Sequence, residues 1–373
     1  MDQLMRYMDV TGVRGNRIIG RIHEPVSENL AALKAVFKEA RAVAYFERTP
    51  EGHVITYGYT PPRRKRRLWV NVLLFVLTIG TTLLVGSLNA GADPFRRPLE
   101  LLLGWPFSLS IILVLGSHEL AHFLTARRLG VDATPPYFLP VPHPMTGTMG
   151  AFIKIDSPVP TKSALVRVGV SGPLVGFLVA LPVCFIGLLL SRPVDIDASK
   201  GIQLGSPLVF WLMSELIHPR LGPGKDLLLH PAAFAGWLGL FVTALNLLPV
   251  GQLDGGHVAY AVFGRRWQKL SWLVVGALAA MGFFWLGWPF WAMLAVVLGL
   301  RHPPPLDDLT SLNRTDWWLV AIALASSSSP LRPLPSAPCA SSRGTGYSDS
   351  GLLYYKRTGS SFSQRCFSPP PLS

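Results

Sequence analysis

Half of the 373 residues are hydrophobic and only 15% are charged, against about 25% in an average soluble domain. The net charge of +13 is concentrated in part as Arg63, Arg64, Lys65, Arg66 and Arg67, directly before an apolar run, where lipid anchoring and topology account for it; no nucleic-acid partner is expected. The three cysteines, Cys184, Cys339 and Cys366, are odd in number and widely spaced, which excludes a disulfide framework and a thiolate metal site.

Residues 1–62 read as a small soluble α/β module. Ser27 is the expected N-cap of a helix on which Leu30, Leu33 and Phe37 recur at helical spacing. Strands follow at Val43–Arg48 and Val54–Tyr59 around Glu51-Gly52, and Pro61-Pro62 closes the module. Residues 63–325 read as a transmembrane domain. Its uncharged runs are Leu68–Leu88, Leu101–Ser117, Val168–Leu190, Pro231–Leu253 and Leu270–Leu300, each near or above the ~20 residues a helix needs to cross a bilayer. A shorter run, Trp317–Ala325, ends the series. The expected fold class is therefore mainly α: a polytopic helical membrane protein of about six spans that partners a lipid bilayer.

Two segments break the helical pattern. Gly287-Trp288-Pro289 divides the run Leu270–Leu300 into a hairpin or a kinked span. Asp132–Pro160 holds seven prolines, and Gly150–Ile155 alternates weakly like a strand, so a re-entrant or interfacial hairpin is expected there. Basic residues in short loops, including Arg127, Arg128, Arg265, Arg266 and Lys269, place the N-terminal module in the cytoplasm. Residues 326–373 include 21 Ser or Pro among 48, a composition expected to stay disordered, either natively or as out-of-frame sequence after an interrupted span.

The second long run leads into His118-Glu119-Leu120-Ala121-His122. On a helix, positions i and i+4 share one face about 6 Å apart, so both imidazoles can reach one Zn²⁺, and Glu119 can act as a base on water at the metal. The alternative is a helix that simply ends at the interface. A charge at membrane depth costs at least ~2.5–3.5 kcal/mol, which favours a cavity or a partner for these groups. The fourth run ends in Asn246-Leu-Leu-Pro249-Val-Gly-Gln-Leu253-Asp254-Gly255-Gly256-His257. Asp254 can complete a three-ligand site, because the topology sets the ends of the second and fourth spans at one depth; an ordinary Asp-Gly turn leaving the membrane is the alternative.

The pair His-Glu-x-x-His and Asn-x-x-Pro-x-x-x-Leu-Asp-Gly resembles the site-2 protease family of intramembrane zinc metalloproteases. The likeness spans roughly residues 65–315 and is strongest over 101–260. The N-terminal module and Gly147–Pro160 resemble its bacterial and plastid branch, related to chloroplast site-2 protease-like proteins. The resemblance implies one Zn²⁺ held by His118, His122 and Asp254, Glu119 as general base, and Asn246 donating to the oxyanion. It also implies transmembrane protein substrates and an integral protein of a bacterial inner membrane. Two other classes compete: an ion or proton transporter using His, Glu and Asp as a relay, and an inactive scaffold. Among further residues, Gly172 and Gly176 suit close helix packing or substrate contact. His143 suits an exposed loop, His257 the interface or support of the ligands, and Trp285, Trp288 and Trp291 interfacial anchoring.

Overall fold

The computed structural model describes residues 2–59, 67–143, 145–195, 207–219, 225–283, 287–300, 302–327 and 354–355. Most of the Ser/Pro-rich tail and Trp285 lie outside the described residues.

The N-terminal module contains α1 (Asp2–Met5), β1 (Met8–Arg14), β2 (Arg17–Ile22), α2 (Val26–Glu39), β3 (Ala42–Thr49) and β4 (Gly52–Tyr59). The four strands form one antiparallel sheet in the order β1-β2-β4-β3. β1 and β2 were not legible in the sequence, yet β2 alternates as a half-buried strand must: Ile18, Gly20 and Ile22 face inward, Arg17 and Arg21 outward. Gly20 permits the pairing, since a Cβ there would stand 2.1 Å from the Asp9 carbonyl oxygen. α2 covers one face of the sheet with Leu30, Leu33 and Phe37. Ser27 is not its cap. The helix begins at Val26, two residues earlier than a Ser27 cap would place it, with Pro25 in extended conformation at the cap position and no side chain capping it.

The remaining chain is predominantly helical: α3 (Leu68–Asn89), a 3₁₀ segment (Pro98–Gly104) running into α4 (Trp105–Arg128), β5 (Tyr137–Pro140), β6 (Thr148–Phe152), α5 (Lys162–Leu189), β7 (Arg192–Asp195), α6 (Leu208–Ile217), β8 (Lys225–Leu228), α7 (Pro231–Asn246), α8 (Asp254–Phe263), α9 (Trp267–Ala280), α10 (Gly287–Leu298), α11 (Arg314–Ser327) and β9 (Tyr354–Tyr355). Three helices among the described residues are long and apolar enough to cross a membrane: α3, α4 with its 3₁₀ lead-in, and α5. α6, α7 and most of α10 are shorter apolar helices.

The polarity of α3 is that of a protein dissolved in lipid. Its buried positions include Asn71, Thr78, Thr82 and Ser87, whereas Trp69, Val72 and Val76 are more than half exposed. Thr78 and Thr82 return their hydroxyls to their own helix, Thr82 also meets Ser108 of α4, and Asn71 donates to the Pro135 and Pro136 carbonyls. α5 is the hub, packed on α4, α7, α8 and α11. Phe107, Ile111 and Val114 of α4 meet Ala180, Cys184 and Leu188 of α5 and Ala233 and Phe234 of α7 in one core. β5 and β6 form an antiparallel hairpin against α3 and α4, with Phe138 on Phe75 and the turn residue Gly147 against Thr81 and Thr82.

The module is fastened to the helices by a strap after α10. The Phe46 amide of β3 donates to Leu306 at 2.7 Å, and the Asp308 amide donates back to Phe46 at 3.0 Å. On its other side the strap donates from Leu306 and Asp307 to the Val159 and Pro160 carbonyls, just before α5. Asp307 is fully buried here and accepts from Lys34 of α2 at 2.6 Å and from Thr310. Burial alone would raise its pKa, but the bonds from Lys34 and Thr310 outweigh that and hold the carboxyl below its ordinary value.

A depressed folded pKa means the stabilisation is present above the unfolded value of about 3.9 and is lost as pH falls through the folded one. Asp307→Asn should therefore cost about 1–3 kcal/mol of docking and speed hydrogen exchange at the Phe46 amide roughly tenfold or more at neutral pH. In the unsubstituted protein the same amide should lose protection only on strong acidification. Equal exchange in both proteins at neutral pH would refute the Lys34–Asp307 clamp.

Candidate metal centre

His118 and His122 lie one turn apart on α4, both buried, their side chains turned toward α5. The third group arrives by an interruption of helical structure. α7 ends at Asn246, since Pro249, without an N–H and with a restricted φ, cannot continue it. The chain turns through Leu247–Leu253, with Gly251 at φ +56, and restarts as α8 at Asp254. Gly255 and Gly256 permit this fold-back: a Cβ on the first would stand 2.0 Å from the Leu247 carbonyl oxygen, on the second 2.3 Å from that of Gly251. Ser271 of α9 pins the turn by donating to the Pro249 carbonyl at 3.1 Å.

The structure brings His118, His122 and Asp254 together. His118 Nε2 is 3.1 Å from His122 Nε2, and each is 3.2 Å from the same Asp254 oxygen, Oδ2. The donors form a nearly equilateral triangle with edges close to the roughly 3.3–3.4 Å between ligand atoms of a tetrahedral ion with ~2.0–2.1 Å bonds. The tautomer supports the fit. His122 Nδ1 donates to the Val168 carbonyl at 2.7 Å, so in the neutral ring Nε2 carries a lone pair. That lone pair faces an Asp254 carboxylate oxygen, a repulsive pair that a divalent cation converts into coordination. Two imidazoles and one carboxylate is a donor set of catalytic rather than structural type.

Glu119 is also buried, and the backbone of Ile153, just beyond β6, reaches its carboxylate. Asn246 is half-buried at the end of α7. His143 is exposed in the hairpin turn, where its ring accepts from the Met145 amide. His257, half-buried and three residues after Asp254, is hydrogen-bonded to His302 of the strap, whose ring stacks on Tyr260.

Three glycines of α5 complete the centre. A Cβ on Gly172 would lie 2.0 Å from His122 Nε2, and one on Gly176 2.9 Å from His118 Nδ1. A Cβ on Gly169 would stand 3.1 Å from the Asp254 carbonyl oxygen. Gly172 and Gly176 do pack closely, but against the imidazoles. The signal available in the sequence was their spacing: 169, 172 and 176 fall on one helical face.

Residues 106–287 match the model of "Peptidase family M50". The match takes in most of α4 and runs through α9, including the break between α7 and α8. The chain is 31% identical over 290 residues to "Probable zinc metalloprotease EGY1, chloroplastic" of Arabidopsis thaliana, covering 69% of this chain and 52% of that protein. It is 30% identical over 214 residues to "Probable zinc metalloprotease EGY2, chloroplastic" of Oryza sativa subsp. indica, covering 57% and 39%. "Probable zinc metallopeptidase EGY3, chloroplastic" of Arabidopsis thaliana is 26% identical over 348 residues, covering 82% and 59%. The chain thus spans roughly two fifths to three fifths of the length of these relatives. All three donor residues, Glu119 and Asn246 fall inside the matched residues.

Gly172→Ala should displace His122 and lower bound metal well below one ion per chain while helicity by circular dichroism is retained; overpacking of this kind costs about 1–3 kcal/mol. Gly176→Ala should do the same more weakly. Gly80→Ala, at a position with open space around its Cβ, should leave metal content unchanged. Full metal loading of Gly172→Ala would show that the clearance is unimportant.

Proposed function

We propose that this chain is a zinc endopeptidase that hydrolyses peptide bonds of transmembrane proteins at membrane depth. The reading rests on the donor triangle, two imidazoles and one carboxylate oxygen from helices that meet only in the fold, inside the residues that match the M50 family. His118, His122 and Asp254 would hold one Zn²⁺. When bound, zinc supplies Lewis acidity that polarises a carbonyl and lowers the pKa of water to about 7. Glu119 takes the proton of the attacking water and delivers it to the departing amine. The Asn246 amide donates to the carbonyl oxygen as charge develops there, a contribution of about 2.7–4 kcal/mol for donors of this kind. The Val168 carbonyl keeps His122 in the tautomer that points its lone pair at the centre.

A transmembrane substrate hides its carbonyls in helical hydrogen bonds, so it must be extended before hydrolysis. β6 is suited to this. Its one strand partner among the described residues is β5, and Ile153 beyond it lies at the Glu119 carboxylate. An unwound substrate segment added to β6 would pass the centre as an extra strand. The re-entrant reading of this hairpin is supported by its reach along α3, from Asn71 beside Pro135 to Thr81 beside Gly147, ten residues or about 15 Å of helix. The shorter helices α7, α9 and α10 complete the bundle toward the expected six spans, and the basic loops put the N-terminal module on the cytoplasmic side. The membrane proposed from the sequence is a bacterial inner membrane, whereas the named plant relatives are chloroplast proteins.

Glu119→Gln should leave zinc content at one per chain and reduce cleavage of a single-span membrane substrate at least ~100-fold. Asn246→Ala should lower kcat about 10²–10³-fold with zinc retained. Phe152→Pro should reduce cleavage without zinc loss by interrupting β6. Full activity of Glu119→Gln, or solute flux without proteolysis in liposomes, would overturn the peptidase reading.

A further inference from the structure

A cavity of about 550 Å³ lies at the seam between the N-terminal module and the helices. Its polar lining comes from both bodies: Arg48 and His53 from β3 and β4, Lys162 from the start of α5, Arg265 and Arg266 after α8, and Asp308 from the strap. Four fixed positive charges face one carboxylate. Lys162 is occupied by Asp308, donating to its carbonyl at 2.8 Å with the carboxylate at 3.1 Å, and Arg265 pairs with Glu47. Arg48 and Arg266 take no ion pair among the described residues, although they approach one cavity from opposite sides.

His53 adds a directed donor. Its Nδ1 accepts the Ile22 amide at 3.0 Å, so the neutral ring carries its hydrogen on Nε2. Burial and the nearby charges of Arg48 and Arg21 lower its pKa, which keeps that tautomer at neutral pH. Unpaired guanidinium groups at a single recess are electrostatically unfavourable until an anion joins them, and guanidinium forks match phosphate oxygens. We propose that this seam binds a phosphate-bearing anion, held between Arg48 and His53 of the module and Arg266 of the membrane domain, and that the bound anion fastens the two together. Phosphate esters reach such a site either as a soluble molecule or as an anionic lipid headgroup, since Arg265 and Arg266 follow a helix of the membrane domain. Binding here is independent of the chemistry at His118, His122 and Asp254.

The test uses the full chain in nanodiscs of phosphatidylcholine, with inorganic pyrophosphate titrated calorimetrically. The unsubstituted protein should bind it, and Arg48→Gln with Arg266→Gln should weaken binding about tenfold or more, while Arg48→Lys with Arg266→Lys retains most of it. Both arginines are exposed, so the fold should survive, and an unchanged circular dichroism spectrum checks this. Nanodiscs containing phosphatidylglycerol separate the sources. A weaker pyrophosphate affinity of the unsubstituted protein there identifies a lipid headgroup competing for the site, and an unchanged affinity identifies a soluble phosphate ester. No binding in phosphatidylcholine, or equal binding by the double glutamine variant, overturns the proposal.

Discussion

The candidate metal centre depends on a strip of α5 that has no side chains. Gly169, Gly172 and Gly176 share one face, and the space their missing Cβ atoms leave is filled by the start of α8, His122 and His118 in turn. Small residues let membrane helices approach closely because, in lipid, packing replaces the hydrophobic drive that water supplies. In α5 the same device admits two imidazoles between helices that otherwise press together. The helix also gives a carbonyl: Val168 accepts from His122 Nδ1 and from Ser171. One helical face thus provides clearance for both rings and the acceptor that fixes the tautomer of one of them.

Irregular backbone is the second requirement, because Asp254 can enter only where α7 stops. Non-helical backbone at membrane depth is tolerated when protein covers it. The covering here is specific. Ser271 of α9 donates to Pro249 and accepts from the Gly251 amide, Val250 is buried against Val275, Leu278 and Ala295, and Gly251 sits on the Gly299 carbonyl at the end of α10. α9 and α10 therefore serve the turn that carries the carboxylate without contributing a ligand themselves.

What could be read from sequence followed the range of the interactions involved. The i, i+4 placement of His118 and His122 is a local property of any helix, and the Pro and Gly residues around Asp254 announce a break, so the groups that converge were nameable beforehand. Long apolar runs were read less well. Pro231–Leu253 is uncharged throughout, yet its helix stops at Asn246, because hydropathy does not separate a helix from the buried turn that follows it. β1 and β2 were missed because charged residues interrupt a strand that is apolar on one face only. Gly172 and Gly176 were noticed, but the neighbour they accommodate is 50 or more residues away in sequence and has no local signature. The strap is harder still: its pairings join residues 46, 161 and 307, none of which stands out by type or spacing.

The strap also joins two regions that composition treats as unrelated. Within seven residues, His302 bonds His257 on the α8 helix that Asp254 begins, Leu306 and Asp307 bond the segment leading into α5, and Asp308 bonds β3 of the soluble module. The two helices it touches are those that supply the carboxylate and the glycine face. The N-terminal module has a core of its own, whereas Gly172 and Gly176 of α5 lie so close to the imidazoles that an added Cβ would stand 2.0 and 2.9 Å from them. The strap therefore links the segment before α5 to the start of α8 and both to β3, and these two helices pack with α4 around donors that lie 3.1–3.2 Å apart.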